Sequence, residues 1–204
     1  MNKFIINANS YLSKPTTAFF HMPYTRMGNP GNPDYLNDLK NTFNNFSENK
    51  LRSAAQELQN ALREDLPLIS RSLRVNPIVV CVVPRAKAEN AYRPHQQLFR
   101  ATVQKVVRLD HDLVDGTSYL RRHTNTKTTH LRNPVPNYIN DGPEPYPGIT
   151  EQTCDISNEV AGKNILLIDD IYTPGVNIDE DSINALLNAS AKTVTFYAVG
   201  KVQR

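Results

Sequence analysis

Two adjacent acidic residues, Asp169 and Asp170, directly follow the apolar run Ile165–Ile168. A continuous apolar run is typical of a strand buried on both faces of a parallel sheet, so the acids are expected at the carboxyl end of that strand. Paired carboxylates there can accept hydrogen bonds from a ligand's hydroxyl groups. The alternative is a solvated strand end, and the wholly apolar strand before the acids weighs against it.

A short turn-rich loop, residues 170–176, leads from these acids into a predicted helix, Ile178–Ala189. Asn177 is a candidate N-cap of that helix, and Glu180 stands where it would complete a capping arrangement. In open α/β sheets ligands bind at such a loop, because backbone N–H groups at a helix N-terminus can hold a phosphate.

The run from Ile165 to Asn177 resembles the phosphoribosyl pyrophosphate motif of type I phosphoribosyltransferases. That motif has four apolar residues, two acids, an apolar pair and then Thr-x-Gly-x-Thr, and the spacing matches as far as Gly175. The resemblance implies that Asp169 and Asp170 are catalytic, hold the ribose hydroxyls and bind Mg²⁺, with phosphoribosyl pyrophosphate as the co-substrate. It also implies a phosphate-binding loop, composed of Tyr172, Thr173, Pro174, Gly175, Val176 and Asn177.

A fainter resemblance, to the competence-protein-F-like or amidophosphoribosyltransferase-like members of this family, extends over about 78–199. It implies that Arg85 and Lys87, after the strand Ile78–Val83, bind the ligand. Residues 116–132 carry several cations and no acid, and the resemblance gives Arg121 and Lys127 a catalytic role there. A flexible cationic loop closing over pyrophosphate would stabilise the leaving group. A basic surface loop that faces nucleic acid is the alternative, although nucleic acid is not strongly indicated.

Two residues depart from the family's pattern. Pro174 lacks a backbone N–H, and Asn177 stands where the family has a hydroxyl residue. The acids 179–181 follow directly and would oppose a phosphate. The chain is therefore expected to transfer phosphoribose to an unknown base or amine, or else to be a non-catalytic nucleotide sensor or nucleic-acid-associated regulator.

The elements that must position these residues can be predicted from apolar spacing. Leucines and alanines at three- and four-residue intervals predict an amphipathic helix from Ser47, its N-cap, to Leu66. A second helix is expected to open at Pro94, and a last strand at Thr193–Val199. Strands alternating with helices predict an α/β fold with a central, mostly parallel sheet flanked by helices. The resemblance narrows this to the type I phosphoribosyltransferase fold with a flexible hood.

Length and composition set the outer bounds. A chain of 204 residues with 39% hydrophobic content suits one domain, 1–204, in which 77–204 would be the core and 1–76 an N-terminal extension with hood elements. No apolar run approaches the roughly 20 residues needed to cross a membrane. Cys81 and Cys154 are expected to be reduced thiols, and the protein soluble and cytoplasmic. The net charge of +3 does not by itself indicate that the chain binds nucleic acid. The sequence leaves open whether the chain forms a homodimer.

Overall fold

A computed structural model describes residues 1–129, 131, 135–136, 138–140, 142–144 and 148–203. Six strands form the main sheet in the order β1-β2-β8-β7-β3-β4, and two more form a separate antiparallel pair, β5-β6. All neighbours in the main sheet are parallel except β1 and β2. The strands in chain order are β1 (Asn2–Ile6), β2 (Thr16–Tyr24), β3 (Ile78–Val82), β4 (Leu113–Asp115), β5 (Leu120–Arg122), β6 (Cys154–Ile156), β7 (Asn164–Tyr172) and β8 (Thr193–Val202).

Four α-helices flank the main sheet: α1 (Tyr35–Lys40), α2 (Glu48–Leu73), α3 (Leu98–Val107) and α4 (Ile178–Asn188). The first three pack on one face of the sheet, and α4 packs on the other. The predicted α/β class with a mostly parallel, helix-flanked sheet is therefore confirmed. The narrower assignment to the phosphoribosyltransferase fold stays a prediction.

Alternating side chains of the central strands supply both halves of the core. In β7, Ile165 and Leu167 pack on the face that α4 covers, whereas Leu166 and Ile168 pack beneath the other three helices. All five residues of β3 are buried. Since neither face of these strands meets water, a continuous apolar run replaces the alternation of a half-exposed strand.

The helix boundaries agree in part with the predicted ones. Ser47 caps α2 as predicted, accepting a hydrogen bond from the backbone N–H of Lys50 at 3.4 Å. The helix continues through Pro67 to Leu73, because Ile69, beyond the proline, is fully buried in the core. Pro94 opens only a short 3₁₀ turn, Pro94–Gln96, and α3 starts at Leu98.

Residues 1–76, which were expected to form an extension with hood elements, contribute to the main sheet and its core. They supply β1, β2, α1 and α2, and β2 pairs in parallel with β8 from Ala18 to Tyr24. The last strand runs to Val202, three residues further than predicted, because β8 has a hydrogen-bonded neighbour on each side. Among the described residues, no helix is long and apolar enough to cross a membrane. Cys81 and Cys154 are free cysteines, and both are buried.

Candidate functional site

The sheet changes direction of winding between β3 and β7. The chain leaves β3 for α3 on one face and leaves β7 for α4 on the opposite face, so a crevice opens between the carboxyl ends of these two strands. Pairing between them stops where the N–H of Val83 donates to the carbonyl of Ile168 at 2.9 Å. The next residue, Pro84, has no N–H to continue the ladder. The edge of β7 at Asp169 and Asp170 is therefore uncovered.

A cavity of about 460 Å³ lies at this edge. The end of α1, the end of β7 and the start of α4 form its walls, together with Thr129, Leu131 and Val135. A second compartment of about 130 Å³ adjoins it and reaches the loop after β3. Both contain Asp169, Asp170 and Lys40, so the two volumes form one cleft around the acid pair.

The acid pair lies inside the strand, since β7 continues to Tyr172 and was predicted to end at Asp169. Asp170 is 3.4 Å from the ammonium group of Lys40. Asp169 accepts a hydrogen bond from the N–H of Asp170 at 2.8 Å, and its carboxyl group lies beside that of Asp179. The ion pair neutralises only one of the three acids that line the cavity.

Burial and mutual repulsion favour the protonated forms of the Asp169 and Asp179 carboxyl groups. Desolvation, with the charge of Asp170 adding to it, raises the pKa of Asp169 to about 7. The pKa of Asp179 is raised well above its usual range, again mainly by burial and then by the charge of Asp169. Two carboxyl groups in contact cannot both ionise cheaply, so we expect Asp169 and Asp179 to share a proton near neutral pH.

Asp179 is a candidate site residue that the sequence analysis missed. It is 5% exposed, it lines the cavity, and its Oδ1 has no hydrogen-bond partner among the described residues. An unpaired buried acceptor is costly, so a ligand that donates a hydrogen bond to it would remove that cost. The sequence offered one signal, an acid two residues after the candidate loop, but acids in a first helical turn are explained equally well by the helix dipole.

The loop between β7 and α4 is a tight turn, with Gly175 at φ 82° and Asn177 at φ 67°. Asn177 makes no cap with its side chain, which accepts from Asn9 at 3.1 Å and donates to the carbonyl of Gly175 at 3.3 Å. The predicted capping arrangement is therefore wrong, because a left-handed residue does not aim its side chain at the helix N–H groups as an extended N-cap does. Glu180, the other residue of the predicted capping arrangement, instead accepts a hydrogen bond from the Tyr172 hydroxyl at 2.9 Å.

The predicted loop residues divide between the cleft and the core. Thr173 and Val176 line the cavity beside the acids. The Tyr172 side chain is buried, with its ring centroid 5.2 Å from that of Phe4 and 5.8 Å from that of Phe196. Its side chain is thus a core element, and contact between Tyr172 and a ligand stays a prediction.

The two cations that were predicted to bind the ligand, Arg85 and Lys87, differ in whether they line the cleft. Arg85 lines the second compartment, stacks over Tyr92 at 4.3 Å and donates to the carbonyl of Gln96. Lys87 lines a smaller cavity of about 50 Å³ that also contains Arg85. Arg122, not predicted as a site residue, is 3% exposed, lines the compartment and donates to the carbonyls of Arg85 and Gly148, each at 2.8 Å.

The two predicted catalytic cations lie outside the cleft lining. The guanidinium of Arg121 pairs with Glu89 at 2.7 Å, and the ammonium of Lys127 pairs with Glu144 at 3.1 Å. Both side chains are about half exposed. The acids that neutralise them are distant in sequence, at 89 and 144, so a count of charges within 116–132 could not reveal them.

The cationic loop within 116–132 was expected to be flexible, but residues 121–129 are hydrogen bonded to other parts of the chain. Thr126 is fully buried, and both its N–H and its hydroxyl donate to the carbonyl of Ala86 at 2.8 Å. The N–H of Lys127 donates to the carbonyl of Pro143 at 2.7 Å. His130 and Arg132, which belong to the same predicted segment, lie outside the described residues.

No group of three or more His, Cys, Asp or Glu residues is arranged to hold a metal ion in the part of the chain that the structure describes. Magnesium binding by Asp169 and Asp170 therefore stays a prediction, in which a ligand's own oxygens would complete the coordination. No known family model matches the chain, and no curated protein matches it significantly.

Proposed function

We propose that the chain binds phosphoribosyl pyrophosphate, or a nucleotide 5-phosphate, in this cleft and transfers phosphoribose to a base or amine. The observation that carries the proposal is the position of Asp169 and Asp170, which lie on an uncovered strand edge at the crevice between β3 and β7. Ligands of open α/β sheets bind at this type of crevice. The proposal is supported further by the resemblance of residues 165–177 to the phosphoribosyl pyrophosphate motif.

Each part of the ligand has a candidate partner. The Asp169 and Asp170 carboxylates would accept hydrogen bonds from the ribose hydroxyls, with Asp179 as a third acceptor. The turn that leads to Asn177, at the N-terminus of α4, would hold the 5-phosphate through its backbone N–H groups, of which Pro174 supplies none. Arg85 would face the pyrophosphate from the second compartment.

The carboxylates of Asp169 and Asp170, which line the cavity, are the hard oxygen donors that Mg²⁺ prefers. These residues would hold the ion together with the ligand. When bound, Mg²⁺ would neutralise the pyrophosphate as it leaves. Lys40, paired with Asp170, balances part of the negative charge of the acid pair.

A second candidate function is a non-catalytic nucleotide sensor. The ion pairs of Arg121 with Glu89 and of Lys127 with Glu144 favour it, because both cations are neutralised away from the cleft. Pro174 favours it too, since one phosphate-binding N–H is missing. A transferase releases pyrophosphate when an acceptor is supplied, whereas a sensor binds the nucleotide without releasing any, so a pyrophosphate-release assay with a panel of bases and amines distinguishes the two.

Binding itself is tested by calorimetric titration with phosphoribosyl pyrophosphate in the presence of Mg²⁺. Replacing both acids, Asp169→Asn with Asp170→Asn, is expected to weaken binding by about 1.5–3 kcal/mol for each charge-assisted hydrogen bond lost. Asp155→Asn, at an exposed acid of β6, is the matched control and should bind like the wild type. Equal affinities in all three proteins would exclude the acid pair as the sugar site.

A further inference from the structure

We propose that Asp181 and Arg122 are positioning residues, which hold the Gly148–Ile149 peptide between them and thereby fix one wall of the cleft. The inference rests on the proposed function, because it assumes that a phosphoribosyl ligand binds against that wall. It goes further in assigning a role to Asp181, an acid that was expected from the sequence to oppose a phosphate. In this role Asp181 acts through the backbone of residues 148 and 149 and not on the ligand itself.

The acidic side of this arrangement is Asp181, which is buried in the first turn of α4. Its Oδ2 accepts hydrogen bonds from the backbone N–H groups of Gly148 at 2.6 Å and of Ile149 at 2.9 Å. The N–H of Asp181 donates to the carbonyl of Asn177 at 3.0 Å. Residues 148 and 149 are therefore tied to the helix that starts at the proposed phosphate turn, by hydrogen bonds of the stronger, charge-assisted kind.

The cationic side is Arg122, whose Nη1 donates to the carbonyl of Gly148 and whose Nε donates to the carbonyl of Arg85, each at 2.8 Å. The carbonyl of Gly148 and the N–H of Ile149 belong to one peptide unit, so that unit is bound at both of its polar ends. A buried guanidinium is costly unless its donors are paired, and its planar shape holds two acceptors in a fixed relation. Arg122 therefore links this peptide to the loop after β3.

The wall that these contacts fix is residues 126–144, which we call the wall segment. Its described residues that line the cleft are Thr128, Thr129, Leu131, Val135 and Tyr138. The segment starts at Thr126, which is bound to the carbonyl of Ala86, and its far end leads to Gly148. The far end is thus attached to both sides of the crevice, to the loop after β3 through Arg122 and to α4 through Asp181.

The wall segment is also held together internally. The Asn140 side chain accepts from the N–H of Thr128 at 2.7 Å and donates to the carbonyls of Thr128 at 3.2 Å and Leu131 at 3.0 Å. Because the segment is tied together in this way, its position beside the acids depends on where its two ends are fixed. Fixing the wall before a ligand arrives lowers the entropic cost of binding.

The test compares hydrogen exchange and ligand affinity in the full chain, with ribose 5-phosphate as the probe. Asp181→Ala removes the acceptor, so exchange over 138–144 is expected to accelerate and the calorimetric affinity for ribose 5-phosphate to fall about 10-fold. Asp181→Asn keeps an oxygen that can accept from both N–H groups and should restore most of both quantities. Asp155→Ala, at an exposed acid of β6, is the control and should match the wild type.

A double-mutant cycle distinguishes one shared contact from two unrelated structural effects. Arg122→Met removes the donors and keeps an unbranched side chain that can fill the buried space. If both residues act through one peptide, Asp181→Ala combined with Arg122→Met should weaken ribose 5-phosphate binding little more than the worse single variant does. Losses of affinity that multiply in the double variant would contradict the shared contact.

The possible failures are distinguishable. In the unliganded wild type the N–H groups of Gly148 and Ile149 should exchange slowly, and fast exchange there would overturn the positioning role even if a variant fails to fold. If the wild type binds ribose 5-phosphate and Asp181→Ala binds it equally well, the positioning role is wrong and the proposed function stands. If the wild type binds no ribose 5-phosphate, both proposals are overturned.

Discussion

At the scale of single residues, the contact between Asp169 and Asp179 makes the site costly to fold. Burial raises the pKa of both carboxyl groups, that of Asp169 to about 7. Because the folded pKa exceeds the unfolded one, the unfolded chain releases these protons first. Stability conferred by the protonated pair is therefore complete below about pH 4 and is lost as the pH rises towards 7. A protein that only needed a stable fold would gain from replacing one of these acids.

Replacing Asp179→Asn tests this cost. The amide carries no charge and can still donate to Asp169, so the free energy of unfolding at pH 8 is expected to rise by about 1–2 kcal/mol. Urea denaturation at pH 5 and pH 8 should show a smaller loss of stability with pH than the wild type shows. Asp155→Asn should follow the wild type. Parallel pH dependences for Asp179→Asn and wild type would contradict the shared proton.

How far the sequence predicted the site differs from residue to residue. Asp169 and Asp170 could be placed directly after the apolar part of a strand, because the run before them determines where that part lies, but the continuation of β7 to Tyr172 was not predicted. Asp179 could not be recognised, since its partner carboxyl is ten residues away and only the fold brings the two together. For Arg121 and Lys127, the sequence showed the cations but not the acids that neutralise them.

At the scale of elements, the turn between β7 and α4 depends on Asn177 adopting a left-handed conformation. Asparagine tolerates that conformation and a β-branched residue does not. Asn177→Thr, which would restore the family's residue type, is therefore expected to lower stability by about 1 kcal/mol or more, with Asn177→Gly closer to the wild type. Thermal unfolding of the two variants gives the comparison, and a threonine variant as stable as the glycine one would contradict the turn geometry.

The segment 121–129 provides a second test at this scale. The N–H of Thr126 is buried against the carbonyl of Ala86, so its hydrogen exchange should be slow without ligand. Thr126→Val keeps the shape and removes the hydroxyl's hydrogen bond to the same carbonyl, so exchange over 123–128 should accelerate. Thr124→Val, at a more exposed hydroxyl of the same segment, is the control. Fast exchange at Thr126 in the wild type would restore the expectation of an unanchored hood.

Local patterns predicted elements whose partners are local, and failed where the partners are distant. The cap at Ser47 and the buried strand β3 follow from neighbouring residues and were predicted. The segment 121–129 is hydrogen bonded to Ala86 and Pro143 and also approaches Gly142 closely, where an added Cβ atom would lie 2.8 Å from the carbonyl oxygen of Asn125. Neither spacing nor composition within 121–129 contains that contact.

At the scale of the whole molecule, three distant parts of the chain form the cleft. The N-terminal part supplies Lys40 and Thr42, and the central part supplies Arg85. The C-terminal part supplies the acids, and Asn9 reaches across to the side chain of Asn177. The first 76 residues therefore build part of the cleft. They were expected to form an N-terminal extension, because long-range strand pairing such as that of β2 with β8 has no local signature in the sequence.

The most direct test of the central claim is a crystal structure of the protein with ribose 5-phosphate and Mg²⁺. The account predicts ribose hydroxyls within about 2.5–3.2 Å of the Asp169 and Asp170 carboxylates and the phosphate at the turn before α4. A sugar bound elsewhere, with the acid pair still facing Lys40 and Asp179 alone, would contradict it.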